Sequence, residues 1–268
     1  CLTSASQNMI LVSELSQLIC HKNNDDRVQS LAGLENFSWI TELKLNEHEF
    51  DEAVALPINS LFNLIDLSIV GNLFTEFPDM SNLTQLEIID FSDSADNPGV
   101  NLTALSHLTA LKEIKLDTFT VSSLTGIETL VNLEKFETST SPVTTTVPLE
   151  NLSKLTELIL FDNQLSNVVD VIKRIEHYTR LELDTWEGAH IPCWQYDYME
   201  REAPKEVDLY SFNLDGSCAD IDGAEDNDSD GLSNEYEVND SLTNPVISDT
   251  DDDGVLDNVD AFPLNNTE

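Results

Sequence analysis

Basic residues are scarce in this chain. Its 268 residues hold 12 Lys and Arg against 51 Asp and Glu, a formal net charge of −39, and no Lys or Arg lies beyond Lys205. A chain so poor in cations is repelled by nucleic acid and by anionic membrane surfaces, which argues against both as partners. No run of about 18 apolar residues occurs, so no transmembrane helix is expected. Glycine and proline, nine of each, are too few for a collagen-like or low-complexity chain. Signals of catalysis are also missing: there is no Gly-rich phosphate loop, no G-x-S-x-G and no H-E-x-x-H. The histidines His21, His48, His107, His177 and His190 are scattered without metal-ligand spacing. The expectation is a binding protein and not an enzyme.

Cysteine is absent from the middle of the chain but present at both ends, as Cys1 with Cys20 and Cys193 with Cys218. An even count outside the core fits two disulfides in an oxidising compartment. Cys1 has a second reading, as the lipid-modified first residue of a processed bacterial lipoprotein, which would leave Cys20 unpaired.

Leucine and its apolar relatives are abundant and periodic. An apolar residue, two variable ones, an apolar residue, one variable and an apolar residue recur at Ile40–Leu43–Leu45, Leu64–Leu67–Ile69, Leu86–Ile89–Phe91 and Leu111–Ile114–Leu116. The series continues at Leu133–Phe136–Thr138, Leu155–Leu158–Leu160 and Tyr178–Leu181–Leu183. The starts are 24, 22, 25, 22, 22 and 23 residues apart. Alternating apolar residues give a short strand with one inward face, which a single repeat cannot bury; stacked repeats bury it together. The run from Asn151 to Leu165, with Asn163, resembles a leucine-rich repeat of the bacterial internalin-like kind, and Asn72 followed by Phe74 is a second match. That resemblance implies an α/β leucine-rich-repeat solenoid with a parallel concave sheet. It also implies that the Asn side chain bonds backbone in the turn after each strand. Elsewhere His48, Ser94, Phe119, Ser141 and Trp186 stand at that position.

Solenoid ends need caps. Ile10, Leu11, Leu15, Leu18 and Ile19 at helical spacing predict an N-terminal capping helix over Gln7 to Ile19. Trp186, Trp194, Tyr196 and Tyr198 around Cys193 predict a cap on the last repeat. Return segments such as Pro57 to Phe62 and Leu102 to Leu108 are expected as short helices, 3₁₀ turns or extended runs. The boundaries read as 1–27 N-terminal cap, 28–186 solenoid, 187–219 C-terminal cap with a disulfide loop, and 220–268 an irregular calcium-binding segment.

In that last segment Asp226, Asp228, Asp230, Gly231, Leu232, Asn234 and Glu237 fit the loop pattern D-x-D-x-D-G-x₅-E. Asp249, Asp251, Asp253, Gly254, Val255, Asp257 and Asp260 repeat it 23 residues on, with Asp in place of the final Glu. Carboxylates at positions 1, 3 and 5, a carbonyl at position 7 and a carboxylate at position 12 are the hard oxygen donors that Ca²⁺ takes, and the glycine permits the sharp turn. Pro245 and Pro263 break the flanking helices that an EF-hand needs. The segment instead resembles bacterial thrombospondin type 3 repeats, which implies a chain wrapped around Ca²⁺ with little apolar core, so that metal binding and folding are coupled. An ending soon after Asp260 suggests a piece of a longer protein.

The outward strand positions are Lys44, Ser68, Asp90, Lys115, Glu137, Ile159 and Glu182, then Asn46, Val70, Ser92, Asp117, Ser139, Phe161 and Asp184. Ile159 and Phe161, beside Glu137 and Glu182, are the expected partner patch. The functional expectation is an extracellular or bacterial cell-surface recognition or adhesion module that takes a protein or glycan on its concave face. The alternative is a structural spacer or stalk in a larger surface protein.

Overall fold

The computed structural model describes residues 16–21, 28, 30–94, 98–185, 191–203 and 224–266. Each template becomes one strand of a single parallel sheet. Its strands are β1 (Gln17–His21), β2 (Glu42–Asn46), β3 (Asp66–Ser68), β4 (Ile88–Asp90), β6 (Glu113–Leu116), β8 (Lys135–Ser139), β9 (Glu157–Asn163) and β10 (Arg180–Thr185), side by side in that order. A separate pair, β5 (Val100–Asn101) and β7 (Val121–Ser123), lies in the return segments. Parallel neighbours require a crossover, and every crossover here is one turn of the solenoid.

The register sets Leu18, Leu43, Leu67, Ile89, Ile114, Phe136, Leu158 and Leu181 in one row. From Leu43 onward every member of that row is fully buried. This follows from the period of two: the middle apolar residue of each template points inward against its neighbours above and below. The return segments hold 3₁₀ turns at Leu34–Phe37, Leu56–Ser60, Leu102–Leu105, Ile127–Thr129, Val147–Leu149 and Ile175–His177. Two short helices, α1 (Glu52–Ala55) and α2 (Val169–Ile172), complete that side.

A left-handed residue lies at or just beyond the end of β2, β3, β4, β6, β8 and β9: Glu47, Gly71, Asp93, Thr118, Thr140 and Asp162 all have positive φ. They keep the same residue steps as the template. The turn behind them is held in different ways. Asn72 is buried and bonds five main-chain groups. His48 takes the same role in the first turn, with Nδ1 accepting from the Val28 amide and Nε2 against the Cys20 carbonyl. Ser141 accepts from the Val121 amide and donates to the Ser139 carbonyl. At Phe119 the polar device is replaced by packing, the ring lying 5.1 Å from Phe77 and 6.1 Å from Phe91. Trp186 lies outside the described residues.

The N-terminal expectation needs correction. Gln17 to Ile19 are not helical; they belong to β1, paired with β2 from Gln17↔Glu42 to His21↔Asn46. The sheet therefore begins inside the stretch read as a cap. Leu15, Leu18 and Cys20 form one more copy of the template, 25 residues before Ile40. Short apolar runs satisfy both periods, and pairing with β2 decided for strand. Residues 7–15 lie outside the description. At the other end α3 (Cys193–Glu202) packs against the last repeat, burying Trp194, Gln195, Tyr198 and Met199, while Gln195 Oε1 accepts from the Val168 amide at 2.8 Å. Neither described cysteine, Cys20 or Cys193, is a free thiol; Cys1 and Cys218 lie outside the described residues.

Candidate metal centre and concave face

The two acidic loops are structural copies of each other. In the first, the Gly231 amide donates to Asp226 at 3.0 Å and the Leu232 amide to Asp230 at 2.7 Å. In the second, Gly254 donates to Asp249 and Val255 to Asp253, both at 2.8 Å. Gly231 and Gly254 have φ of 100° and 96°, a left-handed turn that a side chain resists. Position 9 closes each loop from behind. Asn234 accepts from the Asn227 amide at 3.1 Å, and Asp257 from the Thr250 amide at 2.9 Å.

Three carboxylate clusters result, each with its oxygens within 4.8 Å: Asp226 with Asp228 and Asp230, Asp249 with Asp251 and Asp253, and Asp230 with Glu237 and Asp257. The third crosses between the loops. The sequence pattern assigns each residue to its own loop and so misses that Asp257 of the second faces Asp230 and Glu237 of the first. Asp260 belongs to none of the three clusters.

Charge alone does not make such clusters a metal site; the hydrogen bonding of their oxygens is a separate observation. Asp228 Oδ2, Asp230 Oδ2, Glu237 Oε2, Asp251 Oδ1 and Asp260 Oδ2 are buried oxygens with no hydrogen-bond partner. Glu237 is fully buried and Asp230 nearly so. Buried carboxylates without a donor or counter-charge are costly. The strain appears in their protonation. Burial, then the charges of Asp228 and Asp230, push Glu237 up to about 8. Burial, then Asp230 and Asp226, push Asp228 up to about 6 despite the Asp230 amide. The donor set is all oxygen, which suits a hard divalent cation.

Besides the expected row of Asn46, Val70, Ser92, Asp117, Ser139 and Phe161, the concave face carries two more outward rows. One is also an expected row, in register from Lys44 to Glu182, with Ile19 added at its start. The other, Glu42, Asp66, Ile88, Glu113, Lys135, Glu157 and Arg180, was not anticipated, although the variable residue before each middle leucine must also face outward. The rows interlock through ion pairs: Lys44 with Glu42 and Asp66, Lys115 with Glu113, Lys135 with Glu113, Glu137 and Glu157, and Arg180 with Glu182. Glu137 and Glu182 are therefore already paired. The expected apolar patch is smaller than its sequence suggests: Phe161 is 48% exposed, but Ile159 is only 5% exposed and covered by its neighbours.

No helix among the described residues is long and apolar enough to cross a membrane. No protein-family model matches the chain. Among curated proteins, the homolog of protein phosphatase 1 regulatory inhibitor subunit PPP1R7 from Arabidopsis thaliana is 29% identical over 146 residues, 52% of this chain. The chain spans only 44% of that relative. Among solved structures, internalin C2 of Listeria monocytogenes superposes with a TM-score of 0.59 at 18% identity, covering 73% of this chain and 80% of that one. An internalin F of the same organism gives 0.56 at 17% identity, with 70% and 59% covered. A leucine-rich-repeat protein of Leptospira interrogans gives 0.51 at 18% identity, with 66% and 45% covered. None of these proteins is named for a catalytic activity. At these identities the likeness is one of fold, and the fold of this chain is the leucine-rich-repeat solenoid.

Proposed function

We propose that this chain is an extracellular recognition or adhesion module whose tail binds Ca²⁺ and whose concave sheet takes a protein or glycan. The observation that carries the calcium half is the set of five buried carboxylate oxygens without partners, distributed over two loops that share the same glycine and position-7 hydrogen bonds. Asp226, Asp228, Asp230 and Glu237 hold one ion; Asp249, Asp251 and Asp253 hold another, with Asp260 as a shorter twelfth-position ligand. Ca²⁺ suits loops of six to eight oxygens better than Mg²⁺, which keeps its waters and demands strict octahedral geometry. Likeness of the tail to thrombospondin type 3 repeats supports the same ion.

The absence of free thiols at Cys20 and Cys193 favours disulfides to Cys1 and Cys218 over a lipid at Cys1, and with them an oxidising compartment. The concave face is the usual docking surface of a solenoid, and Phe161 supplies an exposed aromatic anchor beside the ion-paired rows.

Calorimetric titration with Ca²⁺, with thermal melts with and without chelator, tests the metal half. At least two ions bind, and Asp228→Ala and Asp251→Ala each remove one. No heat at millimolar Ca²⁺ rejects it. For the concave face, surface proteins and glycans are retained on immobilised protein and lost with Phe161→Asp. Equal retention by the variant rejects this site, and no retention at all favours the spacer.

A further inference from the structure

Among the described residues, the calcium segment is fastened to the solenoid's cap by Arg201, directly after the first loop. After Ser233 the chain forms a short helix, α4 (Asn234–Tyr236), continued by a π turn over Glu237–Ser241 and ended by left-handed Leu242. The last carbonyls of any helix lack partners within it. Here they receive Arg201, near the end of α3. Its guanidinium donates to the carbonyls of Val238 and Thr243, and more distantly to Leu242. The same group lies over the Tyr198 ring at 5.0 Å and pairs with Glu202. Val238 is 4% exposed and joins the solenoid's apolar core, with Val246 packed against it. A cation at a helix C-terminus, stacked on an aromatic ring, is a favourable fastening.

The metal ligand is next door. Glu237 precedes Val238 directly. Its Oε1 accepts from the Thr243 hydroxyl at 3.2 Å while its Oε2 has no partner. Thr243, fully buried, thus touches both ends: its hydroxyl bonds the carboxylate, and its carbonyl accepts from Arg201.

We infer that Ca²⁺ in the first loop closes a clasp: by fixing Glu237 it orders the turn 237–243, whose carbonyls then grip Arg201 and seal the tail over the solenoid's C-terminal cap. The second loop touches this linkage only through Asp257, which shares a cluster with Glu237; its own cluster of Asp249, Asp251 and Asp253 contains no residue of the turn 237–243. The inference rests on the calcium reading but goes beyond it, because calcium could bind the tail without any effect on the solenoid. Coupling of this kind is reciprocal, so losing the grip weakens calcium at the first loop by the factor through which calcium strengthens the grip.

The test uses the full chain. Hydrogen exchange over residues 193–203 is followed with and without Ca²⁺, alongside calorimetry, for the wild type, Asp228→Ala, Asp251→Ala, Arg201→Met and Arg201→Lys. Chelation is expected to speed exchange in α3 of the wild type by about tenfold, within the usual range of coupling between sites. Asp228→Ala shows fast exchange even in Ca²⁺, and Asp251→Ala stays protected. Arg201→Met still binds two ions, but the first about tenfold more weakly, and its α3 no longer responds to calcium. Arg201→Lys, which cannot span three carbonyls, falls between. Calcium binding with unchanged exchange in α3, or equal affinity in Arg201→Met, overturns the clasp alone. No calcium binding in any variant overturns the clasp and the calcium reading together.

Discussion

Replacing Asn72 by alanine tests how the solenoid turns are held. Its Nδ2 donates to the carbonyls of Leu45 (2.9 Å), Ile69 (2.7 Å) and Val70 (3.1 Å). Its Oδ1 accepts from the amides of His48 (3.2 Å) and Phe50 (3.0 Å). All five groups lose this partner, but the Val70 carbonyl keeps the Glu47 amide, so the cost falls on the other four. Each buried orphan costs about 1–3 kcal/mol, and water entering the vacated space recovers part of that. The expected loss is about 3–5 kcal/mol. Asn163 holds the same place in its own repeat but does less. Its Nδ2 reaches the carbonyls of Phe161 (2.9 Å) and Thr138 (3.4 Å), and its Oδ1 has no partner. Phe161 O keeps the Thr140 amide, so Asn163→Ala should cost only about 1–2 kcal/mol. Urea unfolding of both variants measures the difference, with equal slopes confirming an unchanged cooperative unit. Equal losses, or a loss below about 1.5 kcal/mol for Asn72→Ala, would refute the reasoning.

Gly126 sits where adjacent repeats meet, and a Cβ there would lie 2.4–2.5 Å from the backbone of Leu102 and Thr103, at φ 107°. Gly126→Ala should therefore destabilise by about 3 kcal/mol or more, whereas Gly254→Ala, with φ 96° but open space, costs about 1–2 kcal/mol; thermal melts rank the two. Thr140 is β-branched at φ 51°, so Thr140→Asn should stabilise by about 0.5–1 kcal/mol in urea unfolding, and a loss would mean its hydroxyl matters more than its backbone. His48→Leu removes the partners of the Val28 amide and Cys20 carbonyl and should cost about 2 kcal/mol; His48→Asn, which restores an acceptor and a donor, should cost less than half of that by the same assay.

The repeating strands and the loop chemistry were legible in the sequence because both depend on neighbours a few residues apart. A period of two places Leu43, Leu67 and Leu158 on one face wherever the strand lies. D-x-D-x-D-G brings its own carboxylates and its own turn. Other features depended on what each residue met across the fold. Leu18 and Cys20 suit helix or strand equally until β2 stands beside them. Ile159 looks exposed by alternation, yet the surrounding side chains cover it. Phe119 breaks the asparagine pattern, and only Phe77 and Phe91 explain why the turn survives. Asp257 reads as a ligand of its own loop, but folding turns it toward Asp230 and Glu237. Arg201 carries no motif, and its importance arises when the end of one helix is brought to the end of another. Local periodicity and short-range chemistry are written in the order of residues; contacts between distant segments exist only once the chain has closed on itself, and those contacts decided which acidic oxygens were left without partners.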